Sequence, residues 1–328
     1  MNHTKPIKVH KYGALHTMLG LGSIVLLLLV YFVLAITLKA DTATTASFQV
    51  EAGTKTGVTT ISDALASGGS SIKFGAATAA GPQNCPPLPA YPDENCTGVL
   101  PGVPRTTFAA NRTITQDGMV IENVNVTGWL IIDADNVVIR NMYLESNDFW
   151  PLRVNGQNVR IEDSTFVGGP NNQAPLAGTF HALRIDVSGS PDGVTIGNDS
   201  SLTDSYVHDL VTFEGAHNDG VNADGRLRTS IIHNTILNSN SQTSAMYVGN
   251  TEEPSNLIVR DNLLAGGGYT IYAGLGAGSG QGIRFENNVF SKRYFPRSGS
   301  YGPVAYWQNG NGNTWVNNRY EDGTPITP

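Results

Sequence analysis

The segment NVVIRNMYL, residues 136–144, alternates apolar and other side chains on either side of one asparagine, Asn141, and variants of it return down the chain. The frame is apolar, any, apolar, any, Asn or Asp, two further residues, then apolar. It reads VVIRNMYL at 137–144, VRIEDSTF at 159–166, SIIHNTIL at 230–237, LIVRDNLL at 257–264 and IRFENNVF at 283–290. Weaker copies surround Asp204 and Asn318, and a leading copy surrounds Asn123. The Asn or Asp positions are then Asn141, Asp163, Asp204, Asn234, Asp261, Asn287 and Asn318, spaced 22, 41, 30, 27, 26 and 31 residues apart.

A short alternating strand cannot bury its apolar face alone, but copies stacked in parallel share one continuous core, which is a solenoid. Asn and Asp suit a repeated corner because they tolerate the left-handed backbone region and hydrogen-bond locally. Stacked copies can also join into amide ladders. No 10–15-residue amphipathic pattern intervenes between copies, which disfavours leucine-rich and α/β repeats. Over residues 106–318 the motif resembles the right-handed parallel β-helix of the pectate-lyase-like (pectin lyase fold) superfamily. The expected fold class is all-β: a right-handed parallel β-helix (solenoid) over 106–328, preceded by one transmembrane helix and a stalk.

Of the 328 residues, 37 are glycine and 14% are charged, a composition suited to strands joined by tight corners. Three of the twenty basic side chains, Lys5, Lys8 and Lys11, precede the apolar segment at 19–38, where no acid occurs, so residues 39–328 hold 17 basic against 27 acidic side chains, a balance of −10. Such a body is a poor partner for nucleic acid, which demands a basic footprint. Residues 19–38 (LGLGSIVLLLLVYFVLAITL) form a run of twenty without a charge, long enough to cross a bilayer as a helix. The basic residues before it keep 1–18 cytoplasmic and send everything after Lys39 outside, a single-pass arrangement at the cell membrane. A signal peptide fits less well, because its apolar core is about 7 to 15 residues and ends in an A-x-A-like site.

Residues 39–80 read as an extracellular stalk rich in Thr, Ser, Ala and Gly. Within it SFQVEAGTKTGVTTISDALASGGSSIKFG resembles the opening strands of a carbohydrate-binding β-sandwich, yet is too short to close one. Residues 81–105 read as an N-terminal cap over the first coil. Cys85 and Cys96 are the only cysteines, so one disulfide is the single pairing, stapling a Pro-rich loop on the oxidising side of the membrane. The phrase YPDENCTGVLPGVP resembles the entry segment of secreted β-helix proteins of mostly unassigned activity.

A second strand family lies between the Asn-bearing ones. Placing Val154, Ile185, Val221, Met246, Ile271 and Ala305 inward sends the next residue of each strand outward. That outward column reads Asn155, Asp186, Asn222, Tyr247, Tyr272 and Tyr306, with Arg153 and Arg184 in the adjacent one. Flat rings with hydroxyl tips stack on sugar faces while still hydrogen-bonding, so Arg153, Asn222, Tyr247, Tyr272 and Tyr306 are the candidate substrate-binding residues.

The densest polar cluster is VHDLVTFEGAHNDGVNADGRLR, residues 207–228. At the corner leading into their strand, His217 and Asp219 are expected beside Asp186 of the preceding coil, with Arg184 able to hold or deprotonate an acidic sugar. These four are the candidate catalytic residues, in acid–base or paired-carboxylate chemistry. The HNDGVN segment resembles the DG-containing strand of β-helix polysaccharide-cleaving enzymes, with only Asp219 and Gly220 carried over. The chain lacks the adjacent Asp pair, Gly-His-Gly and Arg-Ile-Lys of polygalacturonases. The resulting expectation is a cell-surface β-helix that binds and cleaves a polysaccharide as lyase or glycosidase, the alternative being a glycan-binding or adhesive protein without turnover. No cofactor or metal is expected, calcium entering only if the reaction is an elimination.

Overall fold

The computed structural model describes residues 58–62, 70–74, 83–213, 215–249, 254–273 and 280–328. The expected cytoplasmic tail and transmembrane helix lie outside these residues. Of the stalk, Val58–Ser62 and Ser70–Phe74 form an antiparallel pair in a separate unit.

The larger unit is a solenoid of parallel strands in three stacks, and among its described residues there is no α-helix. Each coil contributes one short strand to each stack, and the inward positions carry the core. In the first stack Ile121, Ile139 and Ile161 are in register, followed by Ala182, Leu202, Ile231, Val259 and Phe285. In the second, Leu144, Phe166, Val187, Val207, Ile236, Leu264 and Phe290 stack in the same way. The third brings Leu130, Leu152, Leu176, Val194, Val221, Met246 and Ile271 into line. All three columns form one buried cluster, so the recurring frame of the sequence is the repeat that builds the core.

The first and second stacks meet at a corner made of residues in the left-handed backbone region. Asn123, Asn141, Asp163, Arg184, Asp204, His233, Asp261, Asn287 and Asn317 occupy it, with φ between 48° and 59°. Two sequence expectations shift here by one residue: Asn234 and Asn318 do not turn the corner but follow it. Ser230 pairs with Ile258, not with Leu257, which moves the frame of that coil. The displaced asparagines are fully buried in the interior and form an amide ladder. Asn234 donates its backbone N–H and Nδ2–H to Asn262 Oδ1 (2.9 and 3.0 Å), Asn262 donates likewise to Asn288, and Asn288 to Asn318. Where the chain bends, these backbone N–H groups find their acceptor on a side chain of the next coil, since a buried donor must be satisfied. Smaller side chains do the same work in earlier coils: Ser164 Oγ accepts from Met142 N, and Ser205 Oγ from Ile185 N.

Cys85 and Cys96 form the expected disulfide. The stapled segment, however, does not cap the first coil; it runs as a strap along the corner of several coils. Leu100 N donates to Asn141 Oδ1 (2.8 Å), Val99 N to Thr165 Oγ1 (3.0 Å) and Gly98 N to Arg184 O (2.9 Å). Farther along, Ala90 O meets His233 Nε2 at 3.1 Å and the Tyr91 ring lies 5.9 Å from the imidazole. The polar side chains that line the corner give the strap its partners. At Gly98 (φ +79°) a Cβ would come within 2.6 Å of Thr165 Oγ1, which sets how closely the strap can lie. Phe108, Ala110 and Met119 pack on the core in the first coils. At the other end Trp315 packs with Phe285, Phe290 and Trp307 and donates to Ile326 O at 2.7 Å.

Candidate functional site

The outer face of the third stack carries one continuous register: Arg153, Ala177, Thr195, Asn222, Tyr247, Tyr272 and Ala305. Its second half matches the sequence expectation, with Asn222, Tyr247 and Tyr272 on adjacent strands and turned outward. The Tyr247 and Tyr272 ring centroids are 6.0 Å apart and tilted by 41°. Tyr306 stands one residue past the register at a left-handed corner (φ 60°), 65% exposed, and still brings its ring to 5.9 Å from Tyr272. Tyr269 packs edge-on against Tyr272 at 5.4 Å, with Tyr301 on its other side at 5.9 Å. Burial first, then Tyr306 and Tyr269, raise the Tyr272 phenol above its ordinary value, so it stays neutral with its hydroxyl available for hydrogen bonding.

The first half of the expected column is corrected. Asn155 lies two residues beyond Arg153, at a bend, where it accepts from Arg153 Nε (3.0 Å) and donates to Asp133 Oδ1 (2.6 Å). Asp186 belongs to the second stack, between Thr165 and Tyr206. Arg184 is the corner residue of that coil, and its guanidinium clamps Asp163 at 2.6 and 3.0 Å. Neither therefore lies beside Asn222. The strands that do fill those places, Leu176–Gly178 and Val194–Ile196, present Ala177 and Thr195 outward.

Asp186 has a different set of neighbours. His208 faces it through Nε2 (3.4 Å), faces Asp209 through Nδ1 (2.8 Å), and stacks on Tyr206 at 4.0 Å. Burial alone would lower the imidazole, but the Asp186 and Asp209 carboxylates outweigh it and raise it above its ordinary value. Both ring nitrogens are engaged, which suits a structural imidazolium better than a free base.

Asp219 is 3% exposed at the start of its strand, next to exposed His217, and no hydrogen bond among the described residues joins the two. Its carboxylate accepts from Ser244 Oγ at 2.5 Å, and its backbone N–H donates to Asp192 Oδ1 at 2.9 Å. Asp192, 5% exposed, is the equivalent residue of the preceding coil. Burial pushes Asp192 up to about 7, and burial with the Asp192 charge pushes Asp219 well above the usual carboxylate range. Gly193 and Gly220 permit this stacking, because a Cβ on either would come within 2.5 Å of the carbonyl above it. Asp192 was not a sequence candidate, although the Asp-Gly-Val triplet at 192–194 and again at 219–221 marks it.

At the other end of the face, the Arg153 guanidinium lies 4.2 Å over the Trp150 ring. These two border a cleft of about 350 Å³ that also takes in Thr195 and Arg226. No group of three His, Cys, Asp or Glu side chains converges as a metal site among the described residues.

No known family model, curated protein or solved structure matches this chain. What fold and face define together is a parallel β-solenoid whose third stack bears an outward-facing, half-buried strip, cationic and polar at one end and aromatic at the other.

Proposed function

We propose that the chain is a cell-surface β-helix that binds an extended polysaccharide along the third stack, held at the membrane by residues 19–38 with the solenoid outside. The observation that carries this reading is the register of Asn222, Tyr247 and Tyr272, with rings 6.0 Å apart on an outer face. Strands stack at about 4.8 Å, so the column from Arg153 to Tyr272 extends over roughly 24 Å. A single sugar does not need such a track; a chain does. Tyrosines packed on one another lose little freedom on binding and offer both a stacking face and a hydroxyl.

The test is affinity electrophoresis of the full-length chain through gels containing a panel of polysaccharides. Retardation by at least one polymer, reduced about tenfold or more in apparent affinity by Tyr272→Ala, supports the strip. Unchanged retardation of that variant by every bound polymer would sink it.

One observation favours cleavage as a second reading. Asp192 and Asp219, 5% and 3% exposed, form a carboxyl pair with raised proton affinity at the start of the strands that carry Thr195 and Asn222, and acid catalysis there requires a substrate oxygen to reach them from the strip. Arg184 and Asp186, engaged on another stack, have no part in it. New reducing ends from a retained polymer, abolished by Asp219→Asn, would support turnover. Binding without product would leave a glycan-binding or adhesive protein.

A further inference from the structure

We infer that the cleft bordered by Trp150, Arg153, Thr195 and Arg226 is an oxyanion subsite, which takes the carboxylate or sulfate-ester group of an acidic sugar. This rests on the strip reading for the rest of the ligand, since Thr195 lies on the strand next to Asn222 in the same outward column.

Unspent charge is the first argument. Five of the thirteen arginines meet a carboxylate, among them Arg184 with Asp163 and Arg228 with Asp199, the latter through two bonds of 2.5 and 2.7 Å. Arg226, two residues before Arg228, has no such partner among the described residues, and Arg153 meets only the Asn155 amide and the Trp150 ring. With a net charge of −7 there is no shortage of acids to pair with. Asp133 Oδ1 takes the Asn155 amide and Asn198 Oδ1 takes the Leu227 N–H, and neither bonds a guanidinium.

The second argument concerns hydrogen bonding. Trp150 Nε1, Thr195 Oγ1 and Arg226 Nε are buried and lack a hydrogen-bond partner. All three can donate, and two can do nothing else, so the missing partner is an acceptor. A buried unpaired donor is destabilising, and a ligand oxygen would satisfy it after a small side-chain adjustment.

Shape supplies the third. Ala177, Gly178 and Gly197 line the cleft along with the longer side chains. A Cβ at Gly178 would come within 1.9 Å of Val154 O, and one at Gly197 within 2.6 Å of Gly178 O. That part of the lining is thus kept bare by tight coil stacking. Planar guanidinium groups beside it match carboxylate and sulfate oxygens, and Trp150 braces one of them.

The experiment measures binding of the full-length chain to a uronate polymer, a sulfated polymer and a neutral polymer, at low and high salt. For the wild type we expect at least tenfold tighter binding of one or both acidic polymers than of the neutral one. Arg226→Gln should reduce that preference about tenfold while leaving neutral binding unchanged, and Arg153→Gln should reduce it as well, whereas Tyr272→Ala weakens every polymer. Preference for the uronate alone identifies a carboxylate subsite, and preference for both a general oxyanion subsite. Equal binding of acidic and neutral polymers, or a preference that survives the double arginine variant, overturns the subsite and leaves the strip standing. Acidic binding that depends on the arginines but not on Tyr272 keeps the subsite and removes the strip, and no binding of any polymer removes both.

Discussion

Asp192 Oδ1 accepts the backbone N–H of Asp219 at 2.9 Å, so two acids from successive coils are stacked in a nearly water-free place beside the aromatic strip. The arrangement follows from the repeated Asp-Gly-Val triplet. The valines pair in register, and the glycines leave no Cβ to separate the coils.

This pair makes stability depend on pH in a defined direction. Asp192 rises from 3.8 in a free chain to about 7 in the fold. Between those values the unfolded chain releases a proton that the folded chain retains. The contribution is therefore complete below about pH 4 and is lost as pH rises toward 7, and Asp219, raised likewise by burial and by Asp192, acts in the same direction. Urea midpoints measured from pH 4 to 8 should fall in the wild type and flatten in Asp192→Asn, which keeps the acceptor oxygen. An unaltered pH profile in that variant would show that the carboxyl is not held protonated.

The amide ladder should be the most sensitive part of the core. Asn262 accepts from Asn234 N and Nδ2 and donates to Asn288 Oδ1 and Ile231 O, all between 2.9 and 3.0 Å. Asn262→Ala leaves several buried groups unsatisfied and is expected to destabilise the solenoid by about 3 kcal/mol or more in equilibrium unfolding. Loss of under about 1 kcal/mol would mean that neighbouring coils supply other partners.

The strap depends on its staple. Closing a loop with a sequence separation of 11 contributes about 3 kcal/mol in the chain-entropy description. Reduction should free residues 83–105 from Asn141, Thr165 and His233 and expose them to protease, while the coils stay resistant. Equal cleavage rates in the oxidised and reduced protein would show that the corner contacts hold the strap by themselves.

Much of the fold was legible because one physical requirement repeats: every coil must send apolar side chains inward and turn at a residue tolerant of positive φ. Asn141, Asp163, Asp204, Asp261 and Asn287 announce that corner. His233 and Arg184 do not, and the frame slipped where they occupy it. The same weakness cost half of the outer column, since Leu176–Gly178 and Val194–Ile196 are three residues each, too short to show alternation. The tyrosines were legible because their strands carry a four-residue pattern closed by an aromatic. The strap's path was not, because nothing local in a Pro-rich loop specifies which flank it follows; its partners are side chains 41 to 143 residues away.

The central claim is that a saccharide chain lies across the coils on the third stack. A crystal structure of the full-length chain with a fragment of its most strongly retained polymer tests that most directly. Sugar rings should pack on Tyr247 and Tyr272, with the chain passing Asn222 toward Arg153. Density on the first or second stack, with the tyrosine rings bare, would contradict it.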